Sequence, residues 1–256
     1  MRLVSASIVM YGGAPEVKAC LQSAQKVPLP ANFKLFLIDN HSPDHALSTL
    51  QQGGLPDFVV PVQKTENSGF GGGHNSVLSQ LDSRYHAVVN PDIVFVEDPF
   101  GPMADYMDAH PDVAILVPRL IYPDGRPQYV AKRRPALLPL LARQFHFSFL
   151  KKYEDHYLML DEDLTKPTDV EFCSGSFFMI RTDVFKEISG FDEKYFMYVE
   201  DADITQKALL HGRAVYLPDV TVAHAWHRAA HRQVRQFFWQ LKSMFLYFKK
   251  WGFRLK

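Results

Sequence analysis

Short apolar runs alternate with stretches of helical periodicity through the first 120 residues, and this alternation constrains the fold more than any other feature. Strands that alternate with helices at this spacing form a mostly parallel sheet whose two faces are covered. We therefore predict an α/β fold with a mostly parallel central sheet flanked by helices. Ser42 or Asp44 could cap the second helix. The other predicted elements are strands at 2–11, 33–40, 57–63 and 85–90 and helices at 15–26 and 73–82.

The second half of the chain shows less regular alternation. Pro123-Asp124-Gly125 has the composition of a hairpin turn. A break of small residues followed by a strand is expected over 170–181, and a helix over 200–211 with Gly212 as its C-cap. Residues 231–250 have the pattern of a long amphipathic helix.

Composition limits the class of protein. Of the 256 residues, 47% are hydrophobic, which is enough for a substantial core and excludes global disorder. Cys20 and Cys173 are too few for a disulfide framework, so we expect a reducing, cytoplasmic setting. The N-terminal apolar run is too short for a signal peptide. No segment approaches the roughly 20 apolar residues that span a bilayer.

Charge is balanced overall but unevenly distributed. Lys and Arg number 28, as do Asp and Glu, yet residues 220–256 carry eight basic side chains and no acidic one. Residues 125–153, which lie between Asp124 and Glu154, likewise carry seven basic side chains and no acidic one. Such asymmetry indicates an anionic partner for two local surfaces. We expect no nucleic-acid partner.

Polar side chains lie at or just after the predicted strand ends. They are Asp39, Asn40, Asn67, Asn90 and Asp92. In parallel sheets ligands bind beyond the carboxyl ends of the strands, so this edge is the predicted ligand site.

Four glycines lie between Asn67 and Asn75, in the stretch ENSGFGGGHN. Glycine lets the backbone approach a ligand closely. The stretch is not a P-loop, because no Gly-Lys-Ser/Thr follows, and its spacing and position do not fit a dinucleotide fingerprint. It is either a ligand-binding loop or a plain helix-entry loop.

The triplet Asn90-Pro91-Asp92 interrupts an apolar run. Proline cannot donate a ladder hydrogen bond, so the triplet is expected to leave the sheet. An aspartate at a strand end suits a hard divalent cation that also binds phosphates. A simple turn is the alternative interpretation.

Glu200, Asp201 and Asp203 gather three carboxylates at the start of a predicted helix. The helix dipole favours carboxylates there, which explains one or two of them. The preceding stretch GFDEKYFMYV is aromatic, and a carboxylate walled by aromatic rings is partly desolvated, which raises its pKa and its basicity. A catalytic base is therefore the second interpretation.

Three histidines follow, His224, His227 and His231. The last two are four residues apart, a spacing that can bind zinc on a helix, but no HExxH motif accompanies them. We interpret His227 and His231 as solvated or anion-facing. His224 ends a predicted strand and is better placed to join Asp92.

Taken in order, these motifs resemble the inverting glycosyltransferases of the GT-A fold, family 2, and most of all their rhamnosyltransferase-type branch. The resemblance extends from Leu3 to about Phe253, and the joint order of its motifs is more specific than any one of them. The motifs are Asp39-Asn40, ENSGFGGGHN, Asn90-Pro91-Asp92, YPDGRPQ, the stretch 173–212 and YLPDVTVAHAWH.

The resemblance implies roles for individual residues. Asp201 is the general base with Glu200 beside it, and Asp92 and His224 bind Mg²⁺ or Mn²⁺. Asn90 stands where the first aspartate of the family's metal motif is usual. The implied donor-binding residues are Tyr11, Asp39, Asn40, Asn67, Gly69, Gly72, Gly73, Asn75, Asn90 and Gly175.

The resemblance also implies a domain layout. A glycosyltransferase domain is expected over 1–230, with a nucleotide-sugar-binding half at 1–120 and an acceptor and catalytic half at 121–230. A basic amphipathic helix at 231–256 follows. That helix either packs on the core or lies on an anionic membrane surface, which would place the protein peripherally on the cytoplasmic face.

The expected reaction is the inverting transfer of a sugar from a nucleotide-diphosphate donor to a hydroxyl of a glycan or lipid-linked glycan in bacterial surface-polysaccharide synthesis. Rhamnose from dTDP-rhamnose is favoured. The alternatives are a UDP-sugar donor or a catalytically silent sugar-nucleotide-binding module. A nicotinamide oxidoreductase should carry its fingerprint after the first strand, and YGGAPE is not one.

Overall fold

The computed structural model describes residues 2–145, 147–225 and 234–256, so His227 and His231 lie outside the described residues. Within these ranges the strands belong to one nine-stranded sheet. They are β1 (Arg2–Met10), β2 (Lys34–Asp39), β3 (Val59–Gln63), β4 (Ser83–Val89), β5 (Ile93–Val94), β6 (Val113–Ile121), β7 (Thr168–Asp169), β8 (Phe177–Arg181) and β9 (Arg213–His224).

Helices follow the first three strands, as the sequence alternation predicted. The described helices are α1 (Ala14–Ala24), α2 (Ala46–Gln52), α3 (Gly69–Asn75), α4 (Phe100–Ala109), α5 (Leu137–Phe145), α6 (Lys151–Tyr157), α7 (Thr182–Glu187), α8 (Glu200–Ala208) and α9 (Val234–Trp251).

The sheet order is β3-β2-β1-β4-β8-β6-β9-β5, with β7 also paired to β9. The long pairings are parallel: β1 with β2 and β4, β2 with β3, and β6 with β9. β8 runs antiparallel between β4 and β6. The predicted α/β fold with a mostly parallel sheet is therefore confirmed. The carboxyl ends of β1, β2 and β4 open on the same edge.

The central strands are buried on both faces, which explains their uninterrupted apolar sequences. In β6 every residue from Val113 to Leu120 is buried except Arg119. β9 approaches β6 closely at Gly212, where a Cβ would lie 2.5 Å from the Asp112 carbonyl oxygen. Gly212 thus serves strand packing. It is not the C-cap of α8, and that prediction was wrong.

The predicted helix starts also need correction. The N-cap position of α2 is His45, with a left-handed φ of 52°. Asp44, one residue before it, accepts a hydrogen bond of 3.3 Å from Ala46 N–H at the start of the helix, so the capping prediction holds for Asp44 but not for Ser42. Ser42 Oγ instead accepts a hydrogen bond of 2.7 Å from Gly12 N–H. α3 begins at Gly69, four residues before the predicted start, so the glycine-rich stretch is itself helical.

A fully buried polar network lies between β1, β4 and α3. His86 bonds the hydroxyls of Ser5 and Ser7, each at 2.8 Å, and His74 Nδ1 lies 2.7 Å from Ser7 Oγ. Burial lowers the pKa of His86 from 6.5 to about 3. The pKa of His74 is lowered by burial and by nearby His86. Both rings are therefore neutral in the native state.

This network predicts loss of stability in acid. Below about pH 6.5 His86 binds a proton in the unfolded chain, whereas in the native state it stays neutral down to about pH 3. The free energy of unfolding should therefore fall by about 1.4 kcal/mol per pH unit from this residue as pH drops through that window. Urea unfolding at pH 7.5, 6 and 5 measures it. His86→Gln should reduce the slope of the unfolding free energy against pH by the equivalent of about one proton. An unchanged slope would contradict the assignment of His86 as a neutral ring in the native state.

One face of α9 packs on the protein. Tyr247 and Ser243 are buried, and Ser243 Oγ donates a hydrogen bond of 2.9 Å to the Met197 carbonyl. Lys250 pairs with Asp192 and Asp203, each at 2.9 Å. Lys250 is therefore paired within the protein and is not among the cations of this helix that could face a membrane. In the described ranges the helices are too short or too polar to cross a membrane.

Candidate active site

The carboxyl end of β2 holds a polar cluster. Asp39 Oδ1 accepts a hydrogen bond of 2.8 Å from Ser42 N–H. The Asn40 amide donates to Asn67 Oδ1 and to the Gly69 carbonyl, each at 2.9 Å. The cluster fixes the loop that leads into α3. Tyr11, which follows β1, is 59% exposed.

The glycines of α3 are needed for close packing. A Cβ on Gly69 would lie 2.1 Å from the Phe196 carbonyl oxygen, and one on Gly73 would lie 2.6 Å from Val9. A Cβ on Gly72 would lie 2.7 Å from a Ser68 side-chain atom. Their spacing therefore has a structural cause in addition to any donor contact.

Asn75 is occupied by the backbone of the loop before α8. Its amide nitrogen donates to the Phe191 carbonyl and its amide oxygen accepts from Phe191 N–H, each at 2.9 Å. The side chain thus ties α3 to this loop. These contacts give Asn75 a structural role, and its donor contact stays a prediction.

The Asn90-Pro91-Asp92 turn brings Asp92 to His224, and Asp92 Oδ1 lies 3.2 Å from His224 Nε2. Asn90 N–H donates to the Ser176 carbonyl at 2.9 Å, which places the turn beside Gly175. Both Asp92 and His224 were singled out from the sequence. No third His, Cys, Asp or Glu among the described residues completes a metal cluster with them.

Gln128 fixes the chemistry of the His224 ring. Its amide nitrogen donates to the His224 carbonyl at 2.9 Å, so its amide oxygen faces His224 Nδ1, also at 2.9 Å. Nδ1 must then carry a hydrogen. In the neutral ring Nε2 is a bare acceptor facing the Asp92 carboxylate, and it is buried without a hydrogen-bond partner. Two acceptor atoms 3.2 Å apart, Asp92 Oδ1 and His224 Nε2, could both bind the same cation.

The helix α8 presents Asp201 to the chain at Gly175. Asp201 Oδ2 accepts a hydrogen bond of 3.1 Å from Gly175 N–H, and Oδ1 accepts one of 3.0 Å from Ala202 N–H. A Cβ on Gly175 would lie 3.1 Å from the Asp201 Cβ, so glycine permits this approach. Glu200 is buried beside it, and its Oε2 has no partner.

Burial makes this carboxylate pair basic. It raises the pKa of Glu200 to about 8, with a further contribution from the charge of Asp201. Burial also raises the pKa of Asp201, and the positive charge of Lys132 and the hydrogen bond from Gly175 N–H oppose that rise. Near neutral pH we therefore expect Glu200 to hold a proton.

The turn before α8 is strained. Tyr198 and Val199 both have left-handed backbones, with φ of 71° and 68°. A β-branched residue there is an outlier, and each such residue costs of the order of 1–3 kcal/mol. The turn sets the direction in which α8 starts and so the position of Asp201. Nothing in the local sequence indicates this conformation.

Comparison with known sequences agrees with this geometry. The sequence model of the family described as "Glycosyl transferase family 2" matches residues 5–189. Rhamnosyltransferase WbbL of Escherichia coli K12 is 30% identical over 193 residues, which cover 70% of this chain and 69% of that protein. N-acetylglucosaminyl-diphospho-decaprenol L-rhamnosyltransferase of Mycobacterium tuberculosis is 27% identical over 256 residues, with coverages of 88% and 80%.

Solved structures share the fold. GalNAc-T7 with UDP, GalNAc and Mn²⁺ gives a TM-score of 0.70 at 16% identity, covering 98% of this chain and 48% of that one. The mannosyltransferase PcManGT of Pyrobaculum calidifontis, with GDP-Man and Mn²⁺, gives 0.61 at 17% identity, with coverages of 90% and 58%. This chain thus spans about half the length of these proteins. Identities this low establish the GT-A architecture alone.

Proposed function

Because the chain belongs to glycosyl transferase family 2, we propose that it is an inverting glycosyltransferase that moves rhamnose from dTDP-rhamnose to a hydroxyl of a glycan or lipid-linked glycan. The names of the two rhamnosyltransferase relatives support the sugar, and the diphospho-decaprenol in one of them supports a lipid-linked acceptor. The observation that carries the reaction type is the half-buried Asp201 carboxylate, which accepts a hydrogen bond from Gly175 N–H.

In this mechanism Asp201 takes the proton of the acceptor hydroxyl. The hydroxyl oxygen forms a bond to the anomeric carbon while the bond from that carbon to the diphosphate oxygen breaks. A single displacement inverts the anomeric centre. General-base assistance of this kind contributes typically 10²–10⁴-fold. Glu200, with a pKa of about 8, keeps its proton near neutral pH and leaves the charge of the pair on Asp201.

Asp92 and His224 would hold a divalent cation, Mg²⁺ or Mn²⁺. The facing acceptors, the unpartnered Nε2 and the Nδ1 hydrogen fixed by Gln128 all fit such an ion. Bound there, the ion supplies charge neutralisation for the leaving diphosphate. Two protein ligands suit an ion that completes its shell with phosphate oxygens and water.

Metal binding can be measured without turnover. Calorimetric titration of dTDP in Mn²⁺ should show tight binding that EDTA abolishes, and Asp92→Ala should lose this metal dependence. Gln128→Leu should weaken metal-dependent binding by roughly 10–100-fold, because residues that orient a metal-bound histidine have effects of that size. Gln128→Glu keeps an acceptor for Nδ1–H and is the matched control. Equal dTDP affinity with Mn²⁺ and with EDTA would refute the metal role.

A donor screen tests the proposed function as a whole. The protein is incubated with dTDP-rhamnose, UDP-GlcNAc, UDP-galactose or GDP-mannose, and nucleoside diphosphate release and thermal stabilisation are recorded. We expect the largest response to dTDP-rhamnose. A stronger response to a UDP-sugar would mean that the donor is that UDP-sugar and not dTDP-rhamnose. Stabilisation without release, with and without glycan acceptors, would favour a silent binding module.

We also propose that the outer face of α9 binds anionic membrane. Phe238, Leu241 and Phe245 are 63%, 44% and 68% exposed at helical spacing, and Lys242 and Lys249 are exposed near them. Each cation near an anionic surface contributes about 1 kcal/mol, so the expected binding is weak and reversible. This arrangement suits a lipid-linked acceptor.

Liposome sedimentation measures this binding. The protein should sediment with anionic vesicles, less so at high salt because screening shortens to about 3 Å at 1 M, and little with neutral vesicles. Lys242→Gln with Lys249→Gln should remove the anionic preference. The same charge loss elsewhere is the control and should leave this preference unchanged: Lys18→Gln in α1 with Lys26→Gln just after that helix, both at exposed positions. Native protein that ignores anionic vesicles at low salt would overturn the proposal.

A further inference from the structure

The basic stretch at 125–153 is only partly neutralised. Lys132 and Arg143 form no ion pair with an acidic side chain of the described residues. Their charged ends instead lie over aromatic rings, Lys132 Nζ 4.5 Å from the centre of Phe172 and Arg143 Cζ 6.0 Å from that of Tyr157. Three of the other cations of the stretch do have acidic partners, at 2.6–2.8 Å: Arg126–Asp124, Arg133–Asp161, Arg133–Glu162 and Lys151–Asp155.

The backbone places Lys132 next to the proposed catalytic base. Lys132 bridges Phe172 in an antiparallel pair, and its carbonyl accepts a hydrogen bond of 3.0 Å from Glu171 N–H. The same segment continues to Gly175, whose N–H donates to Asp201. Phe172, beneath the Lys132 ammonium, belongs to the same buried cluster as Ala202, the residue after Asp201.

The charges of this region act on one another. Burial lowers the pKa of Lys132 to about 8, Asp201 opposes that shift and Arg143 adds to it. Burial raises the pKa of Tyr157, the charge of Arg143 opposes that rise and the charge of Asp201 adds to it. Lys132 and Asp201 are therefore partly desolvated, and the charge of exposed Arg143 acts on Lys132. A desolvated cation that makes no ion pair is costly, and an anionic ligand would offset that cost.

We propose that Lys132 and Arg143 form an anion subsite beside Asp201 that binds a phosphate or diphosphate ester. The subsite rests on the proposed function, because its neighbour Asp201 is the base of that reaction. The ester belongs either to the acceptor, as a diphosphate linkage to lipid, or to the donor, as its own diphosphate. Arginine offers such an ester a planar fork of donors, and lysine a point charge.

Inorganic pyrophosphate is the probe, titrated by calorimetry without metal. Lys132→Met should weaken its binding at least tenfold, and Arg143→Met several-fold. Lys151→Met, the same substitution at a cation paired with Asp155, is the matched control and should bind as native. Asp201→Asn should tighten binding several-fold by removing a nearby negative charge. Arg143 is exposed, so Arg143→Met should fold normally even if Lys132→Met does not.

A second titration, with the donor site filled by dTDP and Mn²⁺, distinguishes the two sources. Pyrophosphate binding that persists and still depends on Lys132 assigns the subsite to the acceptor. Pyrophosphate displaced by dTDP, together with weaker dTDP binding in Lys132→Met, assigns it to the donor. Native affinity for both ligands in both methionine variants would overturn the subsite. Because these assays need no turnover, failure of sugar transfer would refute the proposed function alone.

Discussion

Asp201→Asn is expected to lower sugar transfer by about 100-fold or more while folding and donor binding stay close to native. Asparagine keeps the shape of the side chain and an oxygen that can accept the hydrogen bond from Gly175 N–H. It cannot accept a proton, so the general-base contribution is lost. Nucleoside diphosphate release in the presence of acceptor measures transfer, and calorimetry with dTDP measures donor binding.

Glu200→Gln is the matched control for this prediction. Glu200 holds its proton near neutral pH, so replacing it with the neutral amide of glutamine should lower sugar transfer less than tenfold at pH 7. Transfer by Asp201→Asn within a few-fold of native would remove Asp201 as the base. Equal losses in the two variants would mean that the carboxylates act as one structural unit instead of having separate roles.

The positions of the elements in the first half followed from the sequence because strands buried on both faces need uninterrupted apolar runs. Their order in space did not. The insertion of β8 between β4 and β6 depends on pairings between residues about 90 apart in the chain, such as Val89 with Phe177, which no local pattern encodes. The helix α3 ran against propensity, since each glycine costs a helix about 1 kcal/mol. Packing of Gly73 against Val9 accounts for it.

The site divides in the same way. Asp92 and His224 could be paired in advance because both end strands that open on one edge of the sheet, and the structure holds them 3.2 Å apart. Gln128 was missed because it reaches His224 from a hairpin after β6, a contact made 96 residues apart. The sequence did not single out Lys132 from the other basic residues of 125–153, because its lack of an acidic partner is a property of the folded chain.

Asp203→Ala is expected to lower the free energy of unfolding by about 3 kcal/mol. Asp203 is fully buried and accepts hydrogen bonds from Trp251 Nε1 at 2.7 Å and Tyr195 Oη at 3.3 Å, besides its ion pair with Lys250. Removing one partner of a buried pair costs about 3–5 kcal/mol. The low end applies because the Lys250 side chain is 35% exposed and can return to water.

Asp192→Ala removes the other partner of Lys250 and separates the effect of burial from that of charge. Asp192 is 21% exposed, so the loss should be about 1 kcal/mol or less. Urea unfolding compares the two variants, and hydrogen exchange locates the change. Because Trp251 and Lys250 are the last residues of α9, Asp203→Ala should speed exchange throughout α9 while β1 and β4 stay protected. Equal destabilisation by the two variants, or unchanged exchange in α9, would mean that Asp203 does not anchor this helix to the one that carries Asp201.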